Sequence, residues 1–459
     1  MGRRYIGRAI ETQRKMIELA RIADLISANR LTGTLSGLVN IPSPTGEEST
    51  LAAHIVECLQ SAGVNAELQY IDPTQANAVG LLNCKKSANN AHKKLLLYSP
   101  IDTVTSSNED EDIPWVGPEL RPDMQATAYT RDGHVMGLGA HNPKGHAACV
   151  IEASRVLSAL GAELSGDVYF GFGAGGMPTH AREKMRADSG HGIGCTRLIE
   201  KLPAMDGAII AKSGQAVTWE EVGFIWMEVS VAGTHTYVGS RHLLPYRNAI
   251  AQASKLILRL EDWFEERARA QQTDCVFPQA VISQIEAGWR RMPAFTPACC
   301  RFLADLRFGP FTSADTAEAE FQSVLRNLCA ELDIEASARR VQTIEASHTD
   351  KDDPVVATTI ASWEAINGKP HEPFREMSGA TDANMLRRAG IPTARVGLPK
   401  ALLPELDFQL GMNCVSITAL QELTLLLVSS ALNFCADPAP NLEGDSRAAT
   451  EHLKASRRG

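Results

Sequence analysis

The sequence contains no run approaching the ~20 consecutive apolar residues that a bilayer-spanning helix requires, so no membrane association is expected. It has no basic excess either. Lys and Arg number 45 against 54 Asp and Glu, a formal charge of −9 that argues against a nucleic-acid partner. The ten cysteines form no CxxC pair, and only Cys299 and Cys300 are adjacent. That excludes a small disulfide scaffold and suits a reducing, cytoplasmic setting in which thiols act as small core residues. The Gly-rich stretches 171-GFGAGG-176 and 187-ADSGHGIG-194 lack the Lys–Ser/Thr ending of a phosphate loop and read as loops. The opening MGRRYIGRAIETQRKMIELARIADLI is basic but has no continuous apolar core, so a signal peptide is not expected. Its Met16, Ile17, Leu19, Ala20, Ile22, Leu25 and Ile26 instead follow helical spacing, as a surface-packing helix would.

The rest is the pattern of a globular enzyme, 44% hydrophobic and 22% charged. Short apolar strands (94–98, 168–172, 207–211) alternate with helical stretches such as 146–160, which predicts an α/β fold with a mainly parallel sheet covered by helices. Functional groups in such folds sit on loops beyond the carboxyl ends of strands. A different rhythm begins near Val222: strand 224–231, helix 248–270, strands 280–285 and 301–307, helix 314–332, strand 334–341. This βαββαβ order predicts an inserted α+β unit over 219–345. It divides the α/β domain into 1–218 and 346–435, and a polar tail follows at 436–459.

Seven strings carry a resemblance: 41-IPSPTGEES-49, 95-LLLYSPIDTV-104, 132-DGHVMGLGAHNPKG-145, 229-VSVAGTHTYVG-239, 247-RNAI-250, 303-LADLRF-308 and 378-SGATDANMLRRAGIPT-393. Together they make the chain similar, over roughly 30–435, to the zinc-dependent aminoacylase, acetylornithine deacetylase and carboxypeptidase family. The resemblance implies a metal-binding α/β domain and an inserted lid domain that mediates dimerisation.

It also implies ligands that are missing. The family's first site loop carries a His two residues before an Asp; here the Asp is Asp102 and the His position is Pro100, which cannot ligate. The bridging Asp corresponds to Asn142, a poor bridge between two cations. The adjacent base and ligand acids fall at Gly175 and Gly176, the next acid at Lys212 or Ser213, and the last His at Gln409. A metal lowers the pKa of bound water from about 15.7 to about 7, so its loss withdraws roughly 12 kcal/mol of proton-transfer free energy. No cofactor is therefore expected, and zinc or another divalent cation would need non-standard ligands. His141, His146, His180 and Asp102 are those candidates; on the alternative reading His141 is a loop donor, His146 faces outward and His180 lies on a surface turn.

The candidate catalytic residues are Asp102, Asn142, His141, Lys144 and Tyr237, the last standing where the family places a lid His that polarises a substrate carbonyl. Candidate substrate-binding residues are Lys212, Ser213, His235, Arg241, His242, Arg247, Asn248, Arg307, Gly379 and Asp382. The arginines suit a carboxylate, although Asn248 also fits a helix cap. Cys149 reads as packing. Two functions stay open: an amidohydrolase-like enzyme acting on the amide or ureido C–N bond of a small carboxylate-bearing substrate, or a catalytically silent binding or partner subunit of an active homologue. A metal-independent lyase or isomerase is a third, smaller alternative. The assembly expected is a homodimer through the lid, or a hetero-oligomer with that homologue.

Overall fold

The computed structural model describes residues 16–84, 92–113, 115–161, 164–179, 186, 188–375, 377–401 and 411–436. Its main sheet has six strands in the order Asn65–Tyr70, Ala76–Leu82, Asp167–Gly173, Lys94–Pro100, Gly207–Ala211, Thr393–Val396. The four strands on the Thr393 side pair in parallel. The two at the other edge are antiparallel, an extension the alternating pattern did not reveal. Lys94–Pro100 is buried at every position after Lys94. That is why it reads as a continuous apolar run, as a central strand covered on both faces does.

Helix Lys144–Ala159 packs beneath this sheet and buries nearly all its residues, against helix Ile417–Cys435 and helix Ala28–Val39. Ile417–Cys435 is the one helix among the described residues long and apolar enough to cross a membrane, which the sequence reading had not registered. Its most apolar window is 61% buried inside the protein, as a core helix is. In the helix over 16–25 and its end, Ile22 and Ile26 are buried while Met16 and Ile17 stay exposed. Only one edge of that apolar set therefore packs.

A second, antiparallel sheet has the order Ala280–Ala287, Cys299–Phe308, Gly223–Ala232, Ala336–Ile344. Helices Ala249–Ala270 and Ala314–Leu332 cover one face. Cys299–Phe308 alternates buried and less buried residues, the period of a sheet with one face on a core. Ile225, Met227, Val229, Phe302, Leu306, Leu256, Leu260 and Phe321 form a core separate from that of the main sheet.

Candidate active-site cleft

The four parallel strands deliver their carboxyl ends to one place, as expected for such a sheet. Lys94–Pro100 leads to Asp102, Asp167–Gly173 to Gly175–Met177, Gly207–Ala211 to Lys212 and Ser213, and Thr393–Val396 to Leu398–Lys400. Beside them lies a cavity of about 1190 Å³ whose wall includes Asn142, Gly176, Met177, Lys212, Ser213, Arg307, Gly379, Arg395 and Lys400. Trp363, Phe374 and Met377 make an apolar side. Glu372 is the only acid among the lining residues described.

Asp102 is fully buried and fully engaged. Oδ1 accepts from the Gly176 amide at 2.8 Å, and Oδ2 accepts from the Met177 amide at 2.9 Å and the Thr45 hydroxyl at 2.7 Å. Asp382 is equally buried and accepts from the Tyr98 hydroxyl at 2.6 Å. Burial pushes its carboxyl up to about 6, against the opposing pull of Tyr98 and Lys212. Glu48 accepts from the amides of Gly175 at 2.8 Å and Gly46 at 3.1 Å. Burial, then the charge of Asp102, carries it up to about 8.

Lys212 is 7% exposed. Among the described residues the only hydrogen-bond-range contact of its ammonium is Met177 Sδ at 4.0 Å, a weak acceptor. Burial pulls its pKa down, while Asp102 and Asp382 hold it up. Asn142 is 6% exposed and its Oδ1 has no partner among the described residues. Arg395 bonds Glu221 at 2.6 Å and the Ser213 carbonyl at 2.8 Å. Arg307 forks onto both oxygens of Asp305, at 2.6 and 2.7 Å.

The structure thus brings Asn142, Lys212, Ser213, Arg307 and Gly379 to the cavity wall, with Asp102 and Asp382 behind it. It does not bring the others. Lys144 turns its buried amine to the Ile41 carbonyl at 2.7 Å, and burial drives it down to about 7. His141 contacts the carbonyls of Leu398 and Pro399 at 3.2 and 3.1 Å, which fits the loop-donor reading, and burial lowers it to about 4. His146 is not outward-facing. Its helix is buried, and Nε2 accepts from the Leu398 amide at 3.1 Å.

Nor do the candidate residues between 235 and 248 line the cavity. His235 contacts the Thr296 carbonyl at 2.7 Å, Tyr237 leans on the Phe295 ring at 5.4 Å, and Arg241 lies over Tyr246 at 4.8 Å. Arg247 bonds the Asp333 carbonyl and carboxylate, each at 2.8 Å, and Asn248 caps its helix by accepting from the amides of Ile250 and Ala251. His242 is exposed. Cys149 packs against Leu420 and is pushed up to about 12 by burial. His180 and Gln409 lie outside the described residues.

Sequence reasoning missed Tyr98, Thr45, Glu48, Glu221, Arg395, Trp363 and Lys400. One signal was present for Tyr98. It pairs with Gly171, and Pro100 with Gly173; a Cβ at Gly173 would land on the Tyr98 hydroxyl. The spaced glycines of 171-GFG-173 are therefore the room this tyrosine needs.

The profile of peptidase family M20/M25/M40 matches residues 96–405, which span the main-sheet cleft and the whole second sheet. The chain belongs to peptidase family M20/M25/M40. Solved structures share the M20 fold. A tripeptidase from Staphylococcus aureus superposes with a TM-score of 0.65 at 18% identity, covering 90% of this chain and 99% of that one. A hydantoinase/carbamoylase family amidase from Burkholderia multivorans gives 0.61 at 14%, covering 90% and 99%. A dinuclear metal binding peptidase of the M20 family from Bacillus subtilis gives 0.57 at 13%, covering 88% and 97%. Among the described residues of this M20 chain, no group of three or more His, Cys, Asp or Glu side chains is placed to hold a metal ion.

Proposed function

We propose that this M20 chain binds a small carboxylate-bearing compound by its amide or ureido group and acts on that C–N bond without the standard zinc pair. The observation that carries the reading is the pairing of two under-satisfied buried groups on one cavity wall. Among the described residues Asn142 Oδ1 has no partner, and the Lys212 ammonium has only a thioether. Buried polar atoms without partners are costly and call for an explanation. An acceptor and a cationic donor suit the N–H and C=O of one amide. Lys400 and Lys369 on the same wall suit the carboxylate, and Trp363, Phe374 and Met377 suit an apolar arm.

The residues do not fit the metal pair that family membership implies. Pro100 has no donor, Asn142 is neutral, Gly175 and Gly176 have no side chain, and Lys212 is itself a cation. Asp102, the surviving acid, has both oxygens occupied. In the proposed homodimer the lid set of one chain would face the cleft of its partner, as the resemblance implies.

A second reading, a silent binding subunit, is favoured by the commitment of both buried acids, Asp102 to three donors and Asp382 to Tyr98. Release of amine from N-acetyl amino acids, N-carbamoyl amino acids and dipeptides, measured on chelator-treated protein, separates the two. Turnover that disappears in Lys212→Met and Asn142→Leu supports the enzyme. Retained binding without turnover supports the silent subunit, and turnover only after zinc is added contradicts the first reading.

A further inference from the structure

Beneath the cavity two buried carboxylates face one buried cation of the chain's own. Asp102 and Asp382 are buried carboxylates that converge on the α-carbon of Gly176. A Cβ there would sit 2.9 Å from Asp382 Oδ2, 3.3 Å from Asp102 Oδ1 and 2.6 Å from the Pro100 Cβ. No donor-bearing side chain fits that point as packed. Two buried carboxylates need a compensating charge. Arg395 is committed to Glu221 at 2.6 Å, and Arg387 lies 3.9 Å from the same carboxylate. Lys212 is the remaining buried cation on this wall. Asp102 and Asp382 are the two foremost influences holding it in its charged form, and no described acid ties it into an ion pair. Its position, following the Gly207–Ala211 strand, is one of the two, with Ser213, where the family resemblance places a metal-binding acid.

We propose that Lys212 is a resident cation that takes over the electrostatic role of the M20 metal pair and bars divalent ions from the cleft, even where missing ligands are restored. A point charge of the same sign a few ångströms from a metal opposes it strongly in a poorly solvated site. Lysine differs from the metal in two useful respects. It cannot be lost to a chelator, and it leaves N–H bonds free for a ligand oxygen. This inference stands whether or not the chain turns over a substrate, because it concerns metal affinity alone.

Zinc titration followed by calorimetry and by metal analysis after gel filtration tests it on the full chain. The proteins compared are wild type, the double variant Pro100→His/Asn142→Asp with Lys212 retained, and a triple variant that adds Lys212→Glu, each checked for folding by circular dichroism. The expected result is that zinc binds the triple variant about a hundredfold more tightly than the double variant. Equal binding, or equal failure to bind, in the two rebuilt proteins overturns the proposal. Adding Lys212→Met in place of Lys212→Glu to the double variant supplies an independent arm that removes the charge without adding a ligand, its folding checked in the same way because two buried carboxylates lose their cation. It is expected to raise zinc affinity several-fold over the double variant, and an unchanged affinity counts against the proposal.

Discussion

The Tyr98 hydroxyl donates to Asp382 Oδ2 at 2.6 Å across 284 residues of chain. The bond ties the centre of the main sheet to the loop that opens helix Ala383–Arg388, and so closes the two separated parts of the α/β fold around the cleft. Both groups are buried, so the phenol is held well above its ordinary pKa, by burial first and by Asp382 next. It stays a donor at any physiological pH.

Tyr98→Phe should therefore cost stability with little change of shape. Removing one partner of a buried hydrogen bond to a charged group typically costs about 1.5–3 kcal/mol. It should also push Asp382 further up, since Tyr98 is the foremost influence opposing burial there. Denaturant unfolding at pH 7 checks the first expectation. An unchanged midpoint would show that the bond contributes nothing.

The Arg395–Glu221 contact is a stronger case. Both side chains are nearly solvent-free and meet at 2.6 Å. Truncating one partner strands a buried charge, at about 3–5 kcal/mol. Arg395→Met should unfold at markedly lower denaturant, and Arg395→Met/Glu221→Leu should recover part of the loss. A double variant no better than the single one would contradict a pairing role.

Glu48 predicts a pH dependence. Its folded pKa stands at about 8 against an ordinary value of 4.5, so between those limits the folded protein holds a proton that the unfolded chain releases. Its contribution is thus fully present below about pH 4.5 and lost as pH rises through 8. Lys144, lowered to about 7, acts in the opposite direction from pH 7 to 10.5. The clean readout is consequently the difference between wild type and Glu48→Gln, which should favour the variant progressively as pH rises from 5 to 8. A difference that does not move with pH refutes it.

Lys144 itself should matter for folding and not for the ligand. Its amine bonds the Ile41 carbonyl away from the cavity. Lys144→Met is expected to cost about 1–3 kcal/mol through the orphaned carbonyl, while ligand affinity stays within twofold of wild type. A selective loss of affinity would return Lys144 to the site.

Much of this architecture was legible because it rests on local patterning. The Gly207–Ala211 and Ala314–Leu332 elements match their predicted ranges because apolar runs and helical periods are written in contiguous residues. The antiparallel edge strands were not: Asn65–Tyr70 is of mixed polarity, and Asn77 and Gly80 interrupt the apolar run of Ala76–Leu82. At the site, Asp102 and Asn142 could be picked out because each lies in a recognisable string, and Lys212 because it directly follows an apolar strand. The partners that define their chemistry could not. Tyr98 with Asp382, Glu221 with Arg395 and Glu48 with Gly175 are long-range contacts that no spacing encodes. The ion pairs of the candidate arginines were equally hidden: Arg247 meets Asp333, and Arg307, on the cavity wall, meets Asp305.

The most direct test is calorimetric binding of N-acetyl-phenylalanine and N-carbamoyl-phenylalanine to chelator-treated wild-type and Lys212→Met proteins, repeated with zinc present. Amide recognition by Lys212 and Asn142 predicts that the metal-free protein binds at least one probe, that zinc leaves the affinity unchanged, and that Lys212→Met loses about tenfold or more, some 1.4 kcal/mol. Binding that appears only when zinc is supplied, and that survives the loss of Lys212, would contradict it.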